Sequence, residues 1–176
     1  MDMIDGFVEK HGEIRRLMEV LARCLPADSS GEEEFQPEML HKFKETAELL
    51  SVKLQAHEAL ERRFLAVAAK EMGPDGTPCL SVVDEDHAAI NDIIHILESI
   101  CCLAGNARAY SFRFSVSSLS YRLERHLNYE EKEVFPCVRR LLNPARMAEV
   151  ERAAGVSQRM EPRREPWAKW KMPSGK

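Results

Sequence analysis

Four histidines and two glutamates stand where helical periodicity calls for apolar side chains. His57 and Glu61 interrupt the seam Leu40, Phe43, Ala47, Leu50, Leu54 … Phe64, Ala68. His126 and Glu130 interrupt Phe112, Val116, Leu119, Leu123 … Val134, Cys137, Leu141. His11 falls within Ile4, Phe7 … Ile14, Met18, Leu21, Leu25, and His87 within Leu80, Val83 … Ile90, Ile94, Leu97, Cys101. The order H, HxxxE, H, HxxxE is an internal repeat. Each half offers two histidines and one carboxylate, and the four-residue step puts each histidine and its glutamate on one helix face.

An unpartnered buried polar group costs about 1 to 3 kcal/mol, and a buried carboxylate more. Six of them together would rival the ~5 to 15 kcal/mol that stabilises a whole domain. They must satisfy one another, as a metal-free histidine–carboxylate network, or hold cations. Metal accounts better for the residue types. Neutral imidazole is a good ligand, and a carboxylate can bridge two cations while offsetting their charge. Two histidines and a carboxylate with open positions is the set that suits non-haem iron. Equal sets from two halves suggest two ions, about 3.5 to 4 Å apart as in two-metal sites generally.

The elements that must position these groups are helices, and no segment reads as a strand. The first is expected from Met3 to Leu25, stopping before Pro26. An acidic linker, PADSSGEEEFQ, follows. Pro37 suits the first turn of the second helix, which runs to Met72, and GPDGTP is a turn cluster. The third is expected from Leu80 to Ala104, ended by Gly105, and the fourth from Ser111 to Leu142 with a kink at Pro136. Asn143-Pro144 opens a short fifth helix that Gly155 closes. Short connections imply antiparallel neighbours, hence an all-α, up-down-up-down four-helix bundle over residues 1–142. Residues 143–176 add the short helix and a C-terminal tail. At ~1.5 Å per residue, His11 and His87 lie roughly 11 to 12 Å from one end of such a bundle. The HxxxE pairs lie roughly 16 to 24 Å from it, the same broad section of the core.

Composition narrows the class. The chain has 176 residues, enough for one domain with a sizeable core, and a formal charge of -4, which disfavours nucleic-acid binding. No apolar stretch approaches the roughly 20 residues of a membrane span, and the N-terminus has no signal pattern, so a cytoplasmic protein is expected. Five cysteines without a CxxC read as reduced thiols, with a redox role for Cys101-Cys102 as the alternative. His41 and His95 fall beside the seams and read as partly exposed. The tail carries Arg163, Arg164, Lys169 and Lys171 around Trp167 and Trp170. It either packs a tryptophan on the bundle or offers a basic, aromatic segment to a protein partner or an anionic surface.

The six-residue pattern resembles the hemerythrin-like, or HHE cation-binding, domain family. His11 in EKHGEIRRL, His57 and Glu61 in HEALERRF, His87 in DEDHAAI, and His126 and Glu130 in HLNYEEKEVFP carry the likeness over about residues 3–142. The family implies a four-helix bundle with two non-haem iron ions joined by an oxo, hydroxo or water bridge. By resemblance, His11 and His57 hold one iron, His87 and His126 the other, and Glu61 and Glu130 bridge. Oxygen-carrying members have a histidine where Asn91 stands, and a helix-four aspartate five residues after the histidine. Here Glu130 stands four after His126, and Glu131 takes the fifth position. HExxE on helix two is similar to the iron-sensing hemerythrin-like domain of a ubiquitin-ligase subunit, in which the extra glutamate is a ligand. That nominates Glu58, which either fills the vacancy left by Asn91 or points to solvent. The resemblance implies a stand-alone protein that senses or handles O2, iron, nitric oxide or peroxide. An enzyme turning over peroxide or nitric oxide, and a metal-free structural bundle, are the alternatives.

Overall fold

The computed structural model of the chain describes residues 2–25, 37–75, 77–102 and 109–155, with side chains left undescribed at 75–80 and 102–110. The linker at 26–36, the Gly105 stop and the tail with its two tryptophans lie outside the described residues, and Cys79, Leu80 and Cys102 outside the described side chains.

All regular structure among the described residues is helical: α1 (Met3–Arg23), α2 (Pro37–Met72), α3 (Thr77–Cys102), α4 (Ala109–Tyr129), α5 (Phe135–Leu141) and α6 (Pro144–Ala153). A single 3-10 turn, Gly73–Asp75, follows α2. The protein is an all-α bundle. None of the described helices is long and apolar enough to cross a membrane.

Local chemistry explains several helix ends. Asp2 caps α1: its side chain accepts from the Asp5 backbone N–H at 2.8 Å, and Asp5 accepts from the Asp2 N–H at 3.0 Å. Proline opens α2 and α6, where its missing N–H needs no partner. Asn143 caps α6 by accepting from the Arg146 N–H at 3.0 Å. Gly155 follows α6 with φ +70°, the left-handed conformation that favours glycine after a helix.

Helix four departs from expectation. It is not continuous from Ser111 to Leu142: a π-helical segment, Glu130–Val134, separates α4 from α5. Here the Phe135 N–H bonds the Glu130 carbonyl, five residues back. Pro136 follows at once; it donates no backbone hydrogen bond, and its ring crowds the carbonyl four residues earlier. The wider turn relieves that crowding. It also takes up one extra residue, so the seam beyond it moves by one position. Val138 and Leu142 are buried there, while Cys137 is only half-buried and Leu141 is exposed.

α1 packs against α2 and α4, and α3 against the same two. The core falls into two apolar clusters. One includes Ile14, Leu54, Ile90, Leu123 and Leu127; the other includes Phe7, Phe64, Val83, Val134 and Phe135. Along α1 and α3 the chain passes from the second cluster to the first, and along α2 and α4 from the first to the second, the order an up-down-up-down course would give. α6 buries Met147 and Val150 in the second cluster. Glu151 ties α6 to α1 by accepting from the Met3 N–H at 2.8 Å, and Arg146 ties it to Glu71 of α2 at 3.1 Å.

Candidate metal centre

Between the two apolar clusters lies a layer of polar groups. His11, Glu61, His87 and Glu130 are fully buried, and His57 and His126 nearly so. Each is flanked one turn away by apolar seam residues, such as Phe7 and Ile14 around His11. Packing of those neighbours draws the six groups to one level, which helix counting alone placed only within about two turns.

All four histidines turn Nε2 inward. His11 Nε2 lies 3.2 Å from His57 Nε2 and 3.2 Å from Glu130 Oε2. Glu61 Oε2 lies 3.6 Å from His57 Nε2 and 3.3 Å from His87 Nε2. Glu130 Oε1 lies 2.9 Å from His126 Nε2 and 4.0 Å from His87 Nε2. Two groups result, His11–His57–Glu61–Glu130 and Glu61–His87–His126–Glu130, each with its ligand atoms mutually within 4.8 Å. Glu61 and Glu130 belong to both. Either group could hold a metal ion.

The donor set fits a cation. Donors held about 2.1 Å from one ion at right-angled to tetrahedral geometry stand about 3.0 to 3.4 Å apart, close to most of the separations above. Both carboxylate oxygens of Glu61, both of Glu130 and Nε2 of His87 are buried without a hydrogen-bond partner among the described residues. At 2.9 Å the His126–Glu130 pair is close but not aligned as a hydrogen bond. Such atoms cost free energy unless something answers them. His11 makes the same point. Its Nδ1 lies 2.8 Å from Glu131 Oε1, and a carboxylate only accepts, so the proton sits on Nδ1. Nε2 is then a lone pair facing Glu130, two acceptors at 3.2 Å, unless a proton or a cation stands between them.

The electrostatics are those of a site that wants positive charge. Burial, then the positive charge that His11 would carry, lowers the His57 pKa to about 3, so its imidazole is neutral and free to donate a lone pair. Burial and the neighbouring charge of Glu130 push the Glu61 carboxyl well up. Burial would raise Glu130 as well, but the His11 and His126 imidazoles outweigh it and pull it down. The two glutamates therefore titrate as a coupled pair.

The walls are aromatic. Phe7 meets His57 edge-on at 5.6 Å, and Phe135 stacks on His11 at 5.7 Å. Phe64 packs on Phe7 at 5.5 Å.

The structure thus brings together His11, His57, Glu61, His87, His126 and Glu130. It does not bring in Glu58. That side chain lies outside both groups, and it does not point to solvent: it is buried, and Oε2 accepts from Asn91 Nδ2 at 2.9 Å. His41 and His95 are exposed, each beside a glutamate of its own helix. Two carboxylates outside the seams and outside the expected ligand set lie beside the histidines. Glu131 bonds His11 Nδ1 and is itself held by Arg15 Nη1 at 2.7 Å. Asp86 is buried, pairs with Arg125, and lies 3.9 Å from His126 Nδ1. The signal for Asp86 was its place next to His87; for Glu131, a second glutamate directly after Glu130.

Comparison with known families and proteins agrees with this geometry. No curated protein and no solved structure gives a significant match. The profile of the hemerythrin HHE cation binding domain, however, matches residues 2–138. That match runs from the cap of α1 into α5 and takes in all six buried histidines and glutamates, so the chain belongs to the hemerythrin HHE cation-binding family.

Proposed function

We propose that this protein binds two non-haem iron ions and uses them to sense or handle a small molecule: O2, nitric oxide, peroxide or iron itself. His11 and His57 serve one ion and His87 and His126 the other, with Glu61 and Glu130 shared. The observation that carries the reading is that sharing: two groups of four ligand residues have exactly these two carboxylates in common. A bound iron pair supplies redox chemistry and open coordination positions for a small ligand. The chain's own part is to hold four imidazoles with Nε2 inward, to offset the cations' charge with two glutamates, and to exclude bulk water with Phe7, Phe64 and Phe135. The free thiols Cys24 and Cys137 support a cytoplasmic setting.

The test begins with protein loaded with ferrous iron under anaerobic conditions and exposed separately to O2, nitric oxide and hydrogen peroxide. At least one is expected to change the absorption spectrum at about two irons per chain. Consumption of many equivalents would assign an enzyme instead of a sensor. No spectral response to any of the three, in protein that holds its iron, would contradict the reading.

A further inference from the structure

We infer that Glu131, held by Arg15, is the positioning residue of His11: it fixes the imidazole with Nδ1–H outward and Nε2 toward the centre. Glu130 and Glu131 are neighbours in sequence yet bracket one ring. Glu130 Oε2 lies 3.2 Å from Nε2, and Glu131 Oε1 lies 2.8 Å from Nδ1. Both residues belong to the π-helical segment, a kind of irregularity that often marks functional sites.

The clamp extends outward. Arg15 reaches Glu131 through Nη1 at 2.7 Å and Nη2 at 3.4 Å, and Glu124 through Nε at 3.1 Å. Arg15 stands one helical turn after His11 on α1, so histidine and arginine of one helix grip the same carboxylate. Phe135 covers a face of the ring. His11 is therefore held at one edge and one face before any ion arrives.

The other three imidazoles are not held this way. Nδ1 of His57 and of His87 has no hydrogen-bond partner among the described residues. Nδ1 of His126 is 3.9 Å from Asp86, beyond hydrogen-bond length, and Asp86 is engaged by Arg125. Carboxylates that hold the outer nitrogen of a ligand histidine typically change metal affinity about 10- to 100-fold. Here that effect falls on the ion served by His11 and His57, and this part of the inference rests on the two-ion reading above.

Two measurements separate the inference from that reading. The first uses metal-free protein. Nitrogen-15 NMR of the imidazoles should show the wild-type His11 proton on Nδ1, protected from exchange. Glu131→Ala should lose that signature, and Glu131→Gln, which keeps an acceptor oxygen, should restore it. The second is anaerobic titration with ferrous iron against a competing chelator. Glu131→Ala should weaken one of two ions by about 10- to 100-fold and spare the other, with Glu131→Gln intermediate. Arg15→Met, which leaves Glu131 but frees it, should weaken the same ion less, and it serves if Glu131→Ala fails to fold. A wild-type His11 without a proton on Nδ1, or variants that bind both ions with unchanged affinity, would overturn the inference. Wild-type protein that takes up no iron would overturn the two-ion reading, while the NMR result still decides how the ring is held.

Discussion

Asn91 Nδ2 donates a 2.9 Å hydrogen bond to Glu58 Oε2, joining α2 to α3 beside the buried centre. The pair explains why a carboxylate can be buried there without joining either ligand group: one oxygen has a donor, and the other has none among the described residues. We expect Glu58→Ala to leave two ions bound with an unchanged absorption spectrum. Asn91→Ala should be the costlier change, because it strands the carboxylate, by about 1 to 3 kcal/mol in chemical denaturation. Loss of one metal equivalent in Glu58→Ala would make Glu58 a ligand instead.

Metal should stabilise the fold. Without it, Glu61 and Glu130 carry buried oxygens that no described donor answers. An ion that binds only the folded state adds about 2.7 kcal/mol at a free concentration one hundred times its dissociation constant. For a chain of this size that corresponds to a rise in Tm of at least about 5 °C. Circular dichroism melts with and without iron measure it. Equal melting temperatures would favour the metal-free histidine–carboxylate network.

A pH effect is expected at Glu13 of α1. Burial alone would raise the Glu13 carboxyl, but hydrogen bonds from Lys10 at 2.7 Å and Lys53 at 3.2 Å outweigh it and lower it. Lys53 belongs to α2, so this triad ties α1 to α2. A carboxyl lowered on folding stabilises above its unfolded value, near 4.5, and that contribution is lost as pH falls through the folded value. Glu13→Gln should therefore cost about 0.5 to 1 kcal/mol at pH 7, discounted for partial exposure. The difference from wild type should shrink as pH falls below about 4.5 and vanish once pH is below the folded value. A gap that does not shrink as pH falls would mean that packing, not charge, accounts for it.

The six seam residues were legible because a helix makes every third or fourth position share a face, and a histidine in such a row is conspicuous. Glu131 was not legible as a partner of His11. In a regular helix it would point about 100° away from Glu130. What turns both toward one ring is the π-helical segment, whose only sequence sign is Pro136. The same segment moved the seam from Cys137 and Leu141 to Val138 and Leu142. Asn91 and Glu58 were visible as departures from a pattern. Their partnership was not, because it depends on the distance between two helices and not on spacing within either.

Two ions per chain, held by residues from four helices, are the central expectation. The most direct measurement is elemental analysis of protein purified from iron-supplemented medium, with His57→Ala and His126→Ala beside the wild type. About two irons per wild-type chain are expected, with a loss from each variant. Less than about one metal per wild-type chain, or variants that retain the full complement, would contradict it.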